Sequence, residues 1–97
     1  MNIVITESAA GDIADGYQFY EEKELGLGSY FEASIFSDLR SLHLYAGIHE
    51  LWFDKFFRKV CGTFPYAIFY QIEDDEVLIY AVLDLRRDPE WISERLN

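Results

Sequence analysis

The stretch Phe64–Trp91, FPYAIFYQIEDDEVLIYAVLDLRRDPEW, decides how the rest of the chain is read. Phe64, Tyr66, Ile68, Tyr70 and Ile72 alternate along its first half, and Val77, Ile79, Ala81, Leu83 and Leu85 along its second. Period-two alternation of apolar, β-branched and aromatic residues predicts two strands, each with one buried face. Glu73-Asp74-Asp75-Glu76 interrupts both runs, so the chain is expected to turn there. Asp88-Pro89 suits a helix N-cap followed by proline in the first turn, where a missing N–H loses nothing.

Working outward, Lys55–Cys61 reads as a further strand before a Gly62-Thr63 turn, and Pro89–Leu96 as a short C-terminal helix. Asn2–Thr6 reads as a strand. Glu7 to about Glu24 reads as a helix with Ala10, Ile13, Ala14 and Tyr17 at helical spacing and Thr6 or Ser8 as its cap. Gly11 and Gly16 each weaken that helix by ~1 kcal/mol relative to alanine, which suggests close packing of a neighbour. Leu25-Gly26-Leu27-Gly28 ends it. Ser29 and Glu32 match a capping box for a second helix, whose buried stripe is Phe31, Ile35, Leu39, Leu42 and Ala46 and whose end is Gly47. Ile48–Asp54 fits no pattern. The order is β-α-α-β-β-β-α in one domain, residues 1–97: an α+β fold with two N-terminal helices on a small antiparallel sheet and a short C-terminal helix.

Composition narrows the function classes. A hydrophobic fraction of 51% excludes a disordered chain. Eight Phe, seven Tyr and two Trp are many for 97 residues, so some aromatics are candidates to face a partner. A lone cysteine, Cys61, makes no intrachain disulfide, and no leader or long apolar run is present, so a cytoplasmic protein without a membrane span is expected. A net charge of −10 argues against direct nucleic-acid binding. The bases are concentrated in the second half: Lys55, Arg58, Lys59, Arg86, Arg87 and Arg95, against Lys23 and Arg40 in the first. His43 and His49 lack a third ligand nearby, and the Glu73–Glu76 run lacks the spacing of a calcium loop, so no metal and no cofactor are expected.

Several pieces together resemble the RelE/ParE toxin superfamily of bacterial type II toxin–antitoxin systems, in its ParE-like branch. They are Gly26-Leu27-Gly28, Tyr30-Phe31, Phe64–Tyr70, Val82-Leu83-Asp84 and Arg86-Arg87-Asp88-Pro89, and the resemblance spans about Thr6 to Leu96. It implies helices packed on a sheet that includes the N-terminal strand. It also implies a cognate antitoxin from the same operon, lying over an apolar surface. Arg86 and Arg87, which follow the last long strand and sit beside the C-terminal helix, are the favoured partner-contact residues, with Trp91, Tyr66 and Tyr70.

The superfamily's two activities call for different residues. RelE-like members cut mRNA on the ribosome without a metal, using cations to hold phosphate and an acid/base group. Here the cations for that alternative are Arg58, Lys59, Arg86 and Arg87. The essential arginine of such ribonucleases would stand about where this chain has Ala67, and their C-terminal tyrosine is unmatched, with Trp91 nearby. ParE-like members block DNA gyrase and lack that set, so inhibition by binding is the leading expectation. A non-toxic member retained as a binding module is a second alternative. The plainer reading of each base is a solvated ion pair with Asp84, Asp88, Glu90 or Glu94. Members are often basic and their antitoxins acidic, so a toxin at −10 points to an antitoxin whose wrapping segment is neutral or basic.

Overall fold

A computed structural model describes all residues, 1–97. The order is β1 (Asn2–Ile5), α1 (Glu7–Lys23), α2 (Leu27–Tyr45), β2 (Glu50–Trp52), β3 (Phe56–Val60), β4 (Tyr66–Glu73), β5 (Glu76–Asp84) and α3 (Pro89–Leu96). The strands form one sheet in the order β1-β5-β4-β3-β2. Helices α1 and α2 cover one face, burying Ile13, Phe31, Ile35 and Leu42 against Ile68, Tyr70, Val77 and Ile79. The short α3 covers the other, setting Ile92 and Leu96 on Phe56, Ala67, Phe69, Ala81 and Leu83. No helix is long and apolar enough to cross a membrane.

The β4–β5 hairpin forms as its sequence requires. Glu73 pairs with Glu76, and the two residues between them, Asp74 and Asp75, have φ of 54° and 68°. Positive φ at both central positions gives a turn whose twist matches the strands it joins. The faces of β4 follow the expected alternation, but those of β5 do not. Phe69 pairs with Ala81 while Tyr70 pairs with Ile79, so Tyr80 is an extra, unpaired residue. This bulge reverses the alternation. Val77 and Ile79 face the helices, whereas Ala81 and Leu83 face α3 and Val82 joins the helix side.

The sheet also departs from the antiparallel expectation at one edge, where β1 runs parallel to β5. Alternation reports faces and not strand direction, so the sequence pattern is silent there. At the opposite edge the unassigned Ile48–Asp54 region contributes β2, paired antiparallel to β3. Phe53 and Asp54 turn that hairpin at φ of 57° and 53°, a conformation unfavourable for an aromatic residue.

The helices differ from the sequence reading in two details. The buried stripe of α1 is Ala9, Ile13, Gly16 and Tyr20, displaced toward its smallest residues. A Cβ on Gly16 would come within 2.5 Å of the Phe31 ring, so this glycine permits close approach of α2, as its position in the sequence suggested. Thr6 caps α1 by accepting from the Ala9 N–H at 3.2 Å. The Ser29–Glu32 capping box does not form, because α2 already begins at Leu27 behind Gly26. Glu21 of α1 takes over instead, accepting from the Gly26 and Gly28 N–H groups at 3.1 and 3.0 Å. A carboxylate from the preceding helix satisfies the free donors of the next.

Candidate functional site

The bulge at Tyr80 turns Val82 and Asp84 toward α1, and Asp88 starts α3 by accepting from the Glu90 N–H at 2.9 Å. Between α1, the end of β5 and α3 lies a cleft of about 530 Å³ lined in part by Asp12, Tyr66, Asp84, Arg86, Arg87, Trp91 and Arg95. The pairing of β1 with β5 runs from Asn2–Glu76 as far as Ile5–Ile79, leaving the next stretch of the β5 edge without a strand partner. Asp12 fills that role. Its carboxylate accepts from the Val82 N–H at 3.0 Å and from the Arg95 guanidinium, tying α1, β5 and α3 together. Burial raises the Asp12 carboxyl above its usual range, outweighing the Arg95 and Val82 hydrogen bonds that act the other way.

Arg86 folds back on Asp84. Its Nε and Nη2 donate to the carboxylate at 3.0 and 2.8 Å, and Nη2 reaches the Tyr20 hydroxyl at 3.2 Å. Burial acts to raise the Asp84 carboxyl, but the hydrogen bonds and charge of Arg86, with Arg87, outweigh it and hold the group below its ordinary value. The same Asp84 hydrogen bond raises Arg86. Tyr66, paired across the sheet with Asp84, is pushed up to about 12 by burial, the Asp84 charge and Tyr20, so its hydroxyl stays protonated near neutrality. The Arg87 guanidinium lies over the Trp91 ring, 3.9 Å from its centroid.

The residues expected to act are only partly brought together. Arg86, Arg87, Tyr66 and Trp91 share this cleft. Tyr70 does not. It is fully buried, stacked on Phe57, and its hydroxyl accepts from the Gly47 N–H at 2.9 Å and meets His49 Nδ1, so it supports the core rather than a surface. Lys59 points to the α2 side, 3.7 Å from Asp38. Arg58 lies on the α3 side, 3.1 Å from Glu50 and over Trp52. Arg58, Lys59, Arg86 and Arg87 therefore form no single cationic cluster. Asp12 and Arg95 emerge only in the fold. Arg95 finds its partner 83 residues away rather than among its sequence neighbours. Asp12 adjoins the buried stripe of α1 once that stripe is placed on Ala9, Ile13 and Gly16, and that adjacency was its only signal.

The remaining reactive groups are structural. Burial, with the charge of Asp38, pushes the Cys61 thiol up to about 12. Burial and the Lys59 charge lower His49, while His43 bonds the Met1 carbonyl at 2.8 Å. No group of three His, Cys, Asp or Glu side chains is placed to hold a metal ion.

No protein-family model matches the sequence, and no curated protein matches it. The fold resembles that of a chain in a solved structure described as "Chromosomal ParDE TA system from P. aeruginosa", with a TM-score of 0.73. The match covers 84% of this chain and 92% of that one at 17% identity. At that identity the likeness is one of architecture, and the chain has the α+β fold of a ParDE-system protein, as its motifs implied.

Proposed function

We propose that the protein is the toxin of a bacterial type II toxin–antitoxin pair, of the ParE-like kind, acting by binding rather than by chemistry. The carrying observation is the state of β4. This strand holds neither Arg nor Lys, and Ala67, standing about where the resemblance would put the ribonuclease arginine, is fully buried against Ile92 and Leu96 of α3. Without a cation there, nothing on that strand stabilises charge developing on a phosphate. Among the other cations, Arg58, Lys59 and Arg86 each already hold a carboxylate and lie on different parts of the surface. The fold shared with a chain of a ParDE system supports the toxin class.

DNA gyrase is the target this reading assigns, in the cytoplasm, with neutralisation by a cognate antitoxin. The antitoxin is assigned to the cleft of Arg86, Arg87 and Trp91. The test is a gyrase supercoiling reaction with the purified protein at micromolar concentration. Loss of supercoiling is expected. Growth arrest in cells with no inhibition of gyrase in vitro would refute the target. New cuts in ribosome-bound mRNA, mapped by primer extension after induction, would refute the binding mechanism.

A further inference from the structure

A second cleft, of about 190 Å³, opens on the α3 side of the sheet between the β2–β3 hairpin and the start of α3. Trp52, Leu85, Pro89 and Ile92 give it apolar walls, and Arg58 and Arg87 supply its only charges. No carboxylate lines it, in a chain with 18 acids and 8 bases. The first cleft is the opposite case, since Asp12, Asp15 and Asp84 offset its arginines.

Both guanidiniums keep donors in hand. Arg87 makes no ion pair and lies over Trp91, which leaves the edge of its fork free. Arg58 gives one terminal nitrogen to the exposed Glu50, and its other terminal nitrogen has no partner. At the rim, Phe53 is held at φ 57° with 56% of its surface exposed.

We propose that this cleft binds a peptide segment of a partner protein in which a carboxylate side chain adjoins an apolar one. The carboxylate meets Arg58 and Arg87, whose planar forks match its two oxygens. The apolar side chain enters the slot between Trp52, Leu85 and Ile92. A nucleic-acid strand fits less well. Base stacking needs open aromatic faces, and Trp52 and Trp91 each have one occupied by a guanidinium. The net charge of −10 also repels a polyanion. The cleft thus selects the opposite sign to that expected from the overall charge. It shares only Arg87 with the first cleft, and its occupant follows from its lining whatever the protein's target is.

The test is an NMR titration of the isotope-labelled full chain, following the indole signals of Trp52 and Trp91 and the arginine Nε–H signals. The probes are the blocked hexapeptide Ser-Asp-Leu-Phe-Glu-Ser, its Asn/Gln counterpart, and hexathymidylate. The acidic peptide should shift Trp52 and Arg58 and saturate, and the amide peptide should bind about tenfold more weakly. Arg87→Gln and Arg58→Gln should each weaken the acidic peptide by about tenfold. Glu50→Gln should leave its binding unchanged or tighter. Arg87 is exposed, so Arg87→Gln carries the test even if Arg58→Gln does not fold. Equal binding of the amide peptide, no response at Trp52, or tighter binding of hexathymidylate through the same signals would overturn the proposal.

Discussion

Replacing Gly16 and Gly11 by alanine, separately, should change stability in opposite directions. Both glycines lie inside α1, and each substitution gains ~1 kcal/mol of helix propensity. A Cβ at Gly11 meets nothing within 4 Å, so Gly11→Ala should keep that gain. A Cβ at Gly16 would fall 2.5 Å from Phe31 Cζ and 2.6 Å from Cε2. Carbon atoms pack at about 3.5–4.0 Å, so the ring would have to withdraw by ~1 Å. Phe31 is fully buried and boxed by Tyr20, Phe64 and Tyr66, with ring centroids 5.2, 5.2 and 4.9 Å away. Overpacking of that kind costs about 1–3 kcal/mol. The propensity gain is common to both variants, so their difference isolates the packing cost. Urea unfolding followed by circular dichroism measures it. Thermal midpoints should differ by ~4 °C or more for a domain of this size, with Gly16→Ala the lower. Equal stabilisation by both substitutions would refute the close approach of α1 and α2.

Three further outcomes follow from the first cleft and the core. Asp12→Ala leaves the Val82 N–H and the Arg95 guanidinium without their acceptor and should cost about 2 kcal/mol in urea unfolding, with Asp12→Asn losing less because it still accepts from Val82. Asp84 has its folded carboxyl below the ordinary 3.8, so its stabilising contribution is complete above that value and is lost as pH falls through the lower folded one. The decline of the thermal midpoint below about pH 4 should accordingly be shallower in Asp84→Asn than in the parent chain. Cys61 is 7% exposed with its thiol raised to about 12, so at pH 8 a thiol reagent should label the folded chain on the order of a thousandfold more slowly than the urea-unfolded one.

Local chemistry made much of this fold legible. The β4–β5 hairpin, the Thr6 and Asp88 caps, the Phe31–Leu42 stripe and the glycine contact between helices all follow from residues close in sequence. What escaped depends on partners distant in sequence or on direction. Tyr80 looks like any other strand residue, yet its bulge decides which side Val82 and Asp84 face. Glu21 caps a helix to which it does not belong, so Ser29 and Glu32 pointed to the wrong start. The parallel pairing of β1 leaves no trace in alternation. Within the cleft, Arg86, Arg87, Trp91 and Tyr66 stood out as basic or aromatic residues around one strand end, whereas Asp12 and Arg95 are united only by tertiary packing. Tyr70 carried the same sequence signal as Tyr66, but the α2 end and His49 close over its hydroxyl.

The most direct test of a binding toxin is induced expression of this chain alone in a bacterial host, beside co-expression with any small reading frame found adjacent to its gene. Growth arrest by the chain alone, relieved by the neighbouring product and unaccompanied by new mRNA cuts, is the result the account predicts. Unimpaired growth at full expression of the folded chain would contradict it and leave a binding module without toxicity.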